Sequence, residues 1–294
     1  MNDVTVRRAT ESELPDIFDI FYQNEMHGVA DPPPRGDVPP WLAHTLATGE
    51  LLVAERAGVF LGFAGLTTRS GVAFLTDLFV RPDVQSGGVG RALLRAILPS
   101  DVAVICTLAS SDPRALALYI RAGMVPQWPN YWLLGESEKL RFVAGDVEVV
   151  EAAPDDRELL RWDRRIAGRY RPQDHRFWVR EQGGVPLWFR RGGVVIGYGY
   201  ARFNASIIWH AEALTFGPIG ARSAGEARGC ALAAVRWGRE RASAVRVALP
   251  GPHPALRPLL DAGLRIADFD TFVSTAQEPF FDPQSYLSTG GETF

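Results

Sequence analysis

Apolar positions along the first half of the chain alternate between two periods. Val4–Arg8 alternates as a short strand, and Glu11–Gln23 places Leu14, Ile17, Phe18 and Phe21 at helical spacing, with Thr10 or Ser12 as the cap. Asp31–Pro40, which contains PPPRGDVPP, reads as an extended loop. Leu51–Glu55, Val59–Thr67 and Val72–Val80 read as successive strands, the first two turning near Arg56–Gly58. Val89–Leu98 is a helix opened by glycines. Val102–Leu108 is a near-continuous apolar run suited to the centre of a sheet, and Asp112–Ala122 is a helix closed by Gly123. Tyr131–Leu134 closes the series. The result is a mixed α/β (α+β) chain.

The same order returns in the second half. Gly58-Val-Phe-Leu-Gly62-Phe63 recurs as Gly193-Val-Val-Ile-Gly197-Tyr198, and Ala115–Met124 recurs as Ala255–Leu264 with Ala122-Gly123 matched by Ala262-Gly263. Two matches in the same order at nearly the same offset argue for an internal duplication. They place one domain at 1–138 and a second at 146–294, divided in the polar stretch GESEKLRFVAGD.

The 294 residues suffice for two domains. With 31 basic and 34 acidic residues the net charge is −3, so no basic surplus points to nucleic acid. The two cysteines, Cys106 and Cys230, are too few for a disulfide framework or a cysteine-rich zinc site. The five histidines lack metal-ligand spacing, so no metal is expected. Met1–Thr10 has no apolar core of a signal peptide, and no apolar run approaches the roughly 20 residues of a membrane helix. The expectation is a cytoplasmic protein with no membrane partner.

The segment richest in chemistry is Leu78-Phe79-Val80-Arg81-Pro82-Asp83-Val84-Gln85-Ser86-Gly87-Gly88-Val89-Gly90-Arg91. A strand ends at Val80, Pro82 stops the ladder, and Ser86–Gly90 approach a helix start with almost no side-chain bulk. Backbone N–H groups there can converge on an anion, helped by the positive end of the helix dipole. No Gly-Lys-Ser/Thr follows, which excludes a nucleotide-triphosphate P-loop, and Leu93 stands where a dinucleotide fingerprint needs its third glycine.

Gln85-x-x-Gly88-x-Gly90 after a strand, with Leu78, Val80 and Pro82 before it, resembles the [QR]-x-x-G-x-[GA] signature of the GNAT superfamily of N-acetyltransferases. Ala115, Tyr119 and Gly123 match that family's later helix, and the likeness covers most of residues 4–135. The resemblance implies two GNAT-like domains, each a mixed, mostly antiparallel twisted sheet flanked by helices. It implies that Leu78–Val80 and Gln85–Arg91 bind acetyl-CoA as co-substrate, the loop taking the pyrophosphate and the splayed strand the pantetheine arm. It makes Tyr119 the acid that protonates the departing thiolate, and Asp77 a candidate base, with a solvated strand-face carboxylate as the alternative. Glu25 and His27, after the first helix, fall where the family builds its acceptor pocket.

The second half carries Arg222-Ser-Ala-Gly225-Glu-Ala227, which fits the same signature, but Glu226 lies inside that cradle and Leu259 replaces Tyr119. This half is therefore expected to be degenerate. The apolar tail Phe280–Leu287 is expected to dock on the first domain or on another subunit. The expected function is transfer of acetyl from acetyl-CoA to a primary amine of a small molecule, with homo-oligomerisation left open. The alternative is a non-catalytic acyl-CoA-binding or scaffold protein.

Overall fold

The computed structural model describes residues 4–142, 145–205 and 208–294. Its contacts divide the chain into two packing units: unit 1 is Met1–Thr107 with Gly291–Thr293, and unit 2 is Leu108–Gly290 with Phe294.

Unit 1 begins with strand β1 (Thr5–Arg8). Thr10 and Glu13 form a capping box over a short 3-10 turn, Glu13 accepting from the Thr10 N–H at 2.8 Å, and helix α1 (Leu14–Glu25) follows. Helix α2 (Pro40–Thr48) comes next, where a loop alone was expected up to Pro40. Pro40 occupies its first turn, a position that has no hydrogen bond to lose. Strands β2 (Glu50–Arg56), β3 (Val59–Arg69) and β4 (Val72–Val80) form an antiparallel meander, with β1 on the outer side of β2. Helix α3 (Val89–Ile97) returns the chain to strand β5 (Val104–Ala109), which pairs parallel to β4 only over Val72–Leu75. Ile17 and Phe18 of α1, Leu42 of α2, Phe63 of β3 and Leu93 of α3 are fully buried, so helices and sheet share one core.

Unit 2 opens with helix α4 (Pro113–Arg121), whose cap Asp112 accepts from the Arg114 N–H at 2.8 Å. Strand β6 (Val125–Glu136) extends well beyond the expected Tyr131–Leu134. Strand β7 (Glu148–Glu151), helices α5 (Arg157–Ile166) and α6 (Pro172–Arg180), and strands β8 (Gly184–Arg191), β9 (Val194–Arg202) and β10 (Ala213–Ala221) then repeat the opening order of unit 1. Helix α7 (Ala224–Gly238), strand β11 (Ala244–Pro250), helix α8 (Leu256–Asp261), strand β12 (Arg265–Ser274) and the two-residue strand β13 (Tyr286–Leu287) complete it.

The packing units do not coincide with the repeats 1–138 and 146–294. The reason is β6: the last strand of repeat 1 lies between β12 and β11 of repeat 2, antiparallel to both. Hydrogen bonding therefore draws the end of repeat 1 into unit 2. The expected class holds throughout, a mixed and mostly antiparallel sheet flanked by helices. Among the described residues no helix is long and apolar enough to cross a membrane.

Candidate functional site

In unit 1 the end of β4 organises the site. Gly65 of β3 faces Asp77 and Leu66 faces Leu75, so Thr76 is an extra residue, a bulge. A bulge re-aims side chains, and here Thr76 and Asp77 converge on one place. A Cβ on Gly65 would meet Asp77 Oδ2 at 2.8 Å and the Thr45 methyl at 3.3 Å, and would also strike Thr76 Oγ1. Only glycine leaves this space. Asp77 is 6% exposed, and burial pushes its carboxyl up to about 6, with the Glu292 charge pushing the same way. Thr76 and the Trp41 indole pull it down slightly, yet neither forms a well-aligned hydrogen bond: Trp41 Nε1, Thr45 Oγ1, Thr76 Oγ1 and Asp77 Oδ2 are all buried without one. Asp77 is thus no solvated strand-face carboxylate. It is a buried acid without a cation among the groups that shift it, held among orphaned polar atoms.

Sequence reading missed Trp41, Thr45 and Thr76. Trp41 and Thr45 sit on α2, whose i, i+1, i+4 pattern of Trp41, Leu42 and Thr45 lay behind a run of prolines. Glu292 comes from a distant part of the chain, and no local signal pointed to it.

Beyond Leu75 the ladder to β5 stops and β4 runs on to Val80. Phe79 stacks on Phe63 (ring centroids 5.5 Å apart) and meets Phe21 edge-on at 5.0 Å, while Phe21 packs on Trp41 at 5.3 Å. This aromatic group fixes the strand's end against α1 and α2. Arg81 then donates its N–H to Leu61 O at 2.9 Å, and Pro82–Val84 make a 3-10 turn. Gln85 turns inward, its Nε2 donating to Asn24 Oδ1 (3.0 Å) and Val80 O (3.1 Å). The side chain that opens the motif ties the loop to α1 and β4.

Ser86 (φ 65°) and Gly88 (φ 89°) both adopt the left-handed conformation, which turns successive N–H groups toward one side. Gly88 is the N-cap of α3, and no side chain caps that helix. A Cβ on Gly88 would meet nothing within 4 Å. The space in front of the helix start is open, and its amides are presented there. Arg91, in the first turn, is exposed. An open helix start whose amides no side chain caps fits a diphosphate.

Glu25 ends α1 half-buried, and His27 is exposed just after it. Tyr119 lies on α4 in unit 2, 5% exposed.

The second repeat is different. Repeated hydrogen bonds fix the true alignment: Arg222 N–H donates to Ile196 O (3.1 Å) as Arg81 does to Leu61 O, and Ala213–Phe216 pair with β11 as Val72–Leu75 pair with β5. Arg222 therefore corresponds to Arg81 and not to Gln85. Ser223, the N-cap of α7, follows at once, whereas Pro82–Gly87 intervene in repeat 1. The motif match at Arg222–Ala227 is corrected: it is a helix start, not a phosphate loop. Ser223 caps it, its Oγ accepting from the Glu226 N–H at 3.4 Å, and the Glu226 carboxylate accepts from the Arg222 guanidinium at 2.6 Å and the Ser223 hydroxyl at 3.1 Å, so a negative charge already stands at this helix start. The Arg222 guanidinium holds the Glu226 carboxyl below the usual range. In the same register Pro218 replaces Asp77. Leu264 N–H donates to Leu259 O as Met124 N–H does to Tyr119 O, which confirms Leu259 as the counterpart of Tyr119.

Unit 2 has instead a buried polar network. Asp163 pairs with Arg171 at 2.8 Å and accepts from Tyr198 at 2.5 Å, and Arg171 donates to the Tyr286 hydroxyl at 2.6 Å. Burial alone would raise the Asp163 carboxyl, but the Arg171 guanidinium beside it holds it well below the carboxylate range.

Residues 47–125 match the family model described as the acetyltransferase (GNAT) domain. The chain carries a GNAT domain within a tandem GNAT-like fold. A candidate acetyltransferase from Pyrococcus horikoshii is similar with a TM-score of 0.78 at 18% identity, over 100% of this chain and 97% of its own. A tandem GNAT protein from the clavulanic acid biosynthesis pathway gives 0.64 at 15% identity, over 94% and 100%. A GCN5-related N-acetyltransferase from Sphaerobacter thermophilus gives 0.56 at 11%, over 99% and 98%. No curated protein matches in sequence. At these identities the solved structures show the fold, and the match to a GNAT domain is that of residues 47–125.

Proposed function

We propose that repeat 1 is an N-acetyltransferase that moves acetyl from acetyl-CoA directly to a primary amine of a small molecule, and that repeat 2 has no catalytic role. The observation that carries this reading is the conjunction, in unit 1, of an uncapped, open helix start after Ser86–Gly88 with a buried carboxyl at Asp77. Acetyl-CoA supplies an acetyl group already activated as a thioester. Gln85–Arg91 hold its diphosphate through backbone N–H groups, Gln85 acting by bracing the loop. Leu78–Val80, free of β5, offer backbone groups to an extended arm and to the acyl oxygen.

An ammonium must lose a proton before it can attack. Asp77, raised to about 6, is a stronger base than an ordinary aspartate while remaining ionised at neutral pH. Its orphaned neighbours Thr76, Thr45 and Trp41 offer positions for the water or amine through which the proton arrives. The departing thiolate needs an acid, and the Ala115–Gly123 pattern assigns that role to Tyr119, whose phenol has a reference pKa of about 10. Glu25 and His27 stand at the end of α1 as candidate acceptor contacts.

Release of free thiol from acetyl-CoA, followed across a panel of primary amines, tests the proposal. Amine-dependent release that falls in Tyr119→Phe supports it. Stoichiometric binding of acetyl-CoA with no release for any amine would turn the reading to an acyl-CoA-binding protein.

A further inference from the structure

Unit 2 retains the strand edge that corresponds to the free end of β4, and there the chain covers it. After Phe216–Val247 the pairing of β10 with β11 ends, at the step where β4 leaves β5. Ile219 and Gly220 then pair antiparallel with Leu287 and Tyr286 of β13, and Ala221 N–H donates to Ser285 O at 2.9 Å. The segment runs on close against the strand: at Gly217 (φ 136°) an added Cβ would strike the Ser288 carbonyl. Tyr286, Leu287, Ser288 and Thr289 are each at most 2% exposed. Arg171 fastens the Tyr286 hydroxyl from below. The tail was expected to dock on the first domain or on another subunit: Phe281 does meet Trp128, within residues 1–138, edge-on at 5.8 Å, whereas Tyr286 and Leu287 pair with β10 of the second repeat, which offers them unpaired backbone groups.

We infer that Ser285–Thr289 occupy, in repeat 2, the strand-edge place that the extended, amide-bearing arm of acyl-CoA takes in repeat 1, so that the chain has one acyl-CoA site and one self-occupied relic of a second. An extended peptide and an amide-bearing arm make the same demand on a strand edge, alternating N–H and C=O groups in line. The substitution is complete on both sides of the groove. The diphosphate loop Pro82–Gly87 has no counterpart, and the helix start beyond it is closed by Ser223 and Glu226. With the loop gone an acyl-CoA has no anchor with which to displace β13, and the strand edge serves to hold Ser285–Thr289 in place.

This inference rests on the acetyl-CoA reading, and the experiment separates the two. Hydrogen exchange of the full chain is followed by mass spectrometry with and without saturating acetyl-CoA, and native mass spectrometry gives the stoichiometry. One acetyl-CoA per chain is expected. Peptides over residues 78–91 should slow at least tenfold on binding, while peptides over 217–223 and 282–290 should be slow beforehand and unchanged. At the lowest acetyl-CoA concentration that saturates wild type, Gly88→Glu should lose both the adduct and the slowing. Two acetyl-CoA per chain, or ligand-dependent change at 282–290, would overturn the self-occupied groove while leaving acetyl-CoA binding intact. No acetyl-CoA bound at all would overturn the functional reading and this inference with it.

Discussion

Replacing Asp77 by Asn should make the protein more stable and less active, and the gain in stability should depend on pH. The Asp77 carboxyl is raised from 3.8 to about 6. At about 1.4 kcal/mol per tenfold change in acidity, that rise amounts to roughly 3 kcal/mol by which burial disfavours the ionised form. The folded state takes up the proton as pH falls through about 6, whereas the unfolded chain does so only near 3.8. The penalty is therefore full above pH 6, shrinks between 6 and 4, and is gone below. Asn does not titrate, so Asp77→Asn should gain up to about 3 kcal/mol at pH 7.5, less whatever its amide loses among Thr76, Thr45 and Trp41. The gain should vanish by pH 4. Urea unfolding of both proteins at pH 7.5, 5 and 4 measures it. Acetyl transfer by the variant should fall by about 10²–10⁴-fold, the usual worth of a positioned base. A variant that is less stable at pH 7.5, or a difference that does not change with pH, would refute the uncompensated buried charge.

In wild type, kcat/KM should rise with pH through an apparent pKa near 6, and that limb should be missing from the residual activity of Asp77→Asn. Tyr119→Phe should lower turnover by about 10²–10⁴-fold with acetyl-CoA affinity unchanged; full activity would return Tyr119 to a packing role. Asp163→Asn leaves Arg171 buried without its counter-charge and should cost about 3–5 kcal/mol in thermal or urea unfolding while sparing acetyl-CoA affinity. Phe281→Ala removes a ring that meets Trp128, Phe272, Tyr286 and Phe294, and should cost about 3–5 kcal/mol in the same assay.

Much of the first repeat was legible because its strands alternate and its helices carry local caps: Thr10 with Glu13, Asp112 with Pro113, and the glycines before Val89. Helix α2 was hidden because Pro40 ends a proline-rich run and also begins a helix, and sequence alone does not separate those uses. The position of β6 was not legible. Its alternation predicts a strand, but pairing between β11 and β12 is decided by tertiary packing. The match at Arg222–Gly225–Ala227 shows the weakness of a short pattern read without its backbone. The residues fit the signature, but the loop that would make them a cradle is missing, as the repeated Arg222–Ile196 bond and the matching strand pairing reveal. Around Asp77 the acid itself was visible in the strand, while its burial depends on Thr45, Trp41 and a bulge that no local pattern announces.

Calorimetric titration of acetyl-CoA into wild type, Gly88→Ala and Gly88→Glu tests the central claim most directly. Gly88 faces open space, so both substitutions fit and share the same cost of a left-handed non-glycine residue. Only Glu sets a negative charge before the helix start. Like charges about 5 Å apart at an effective dielectric constant of about 20 repel by about 3 kcal/mol, or roughly 100-fold in affinity. A diphosphate site at this helix start predicts tight binding to wild type, a modest loss in Gly88→Ala and a further loss of about 100-fold in Gly88→Glu. Equal affinity in Gly88→Ala and Gly88→Glu, with both folded, would contradict it.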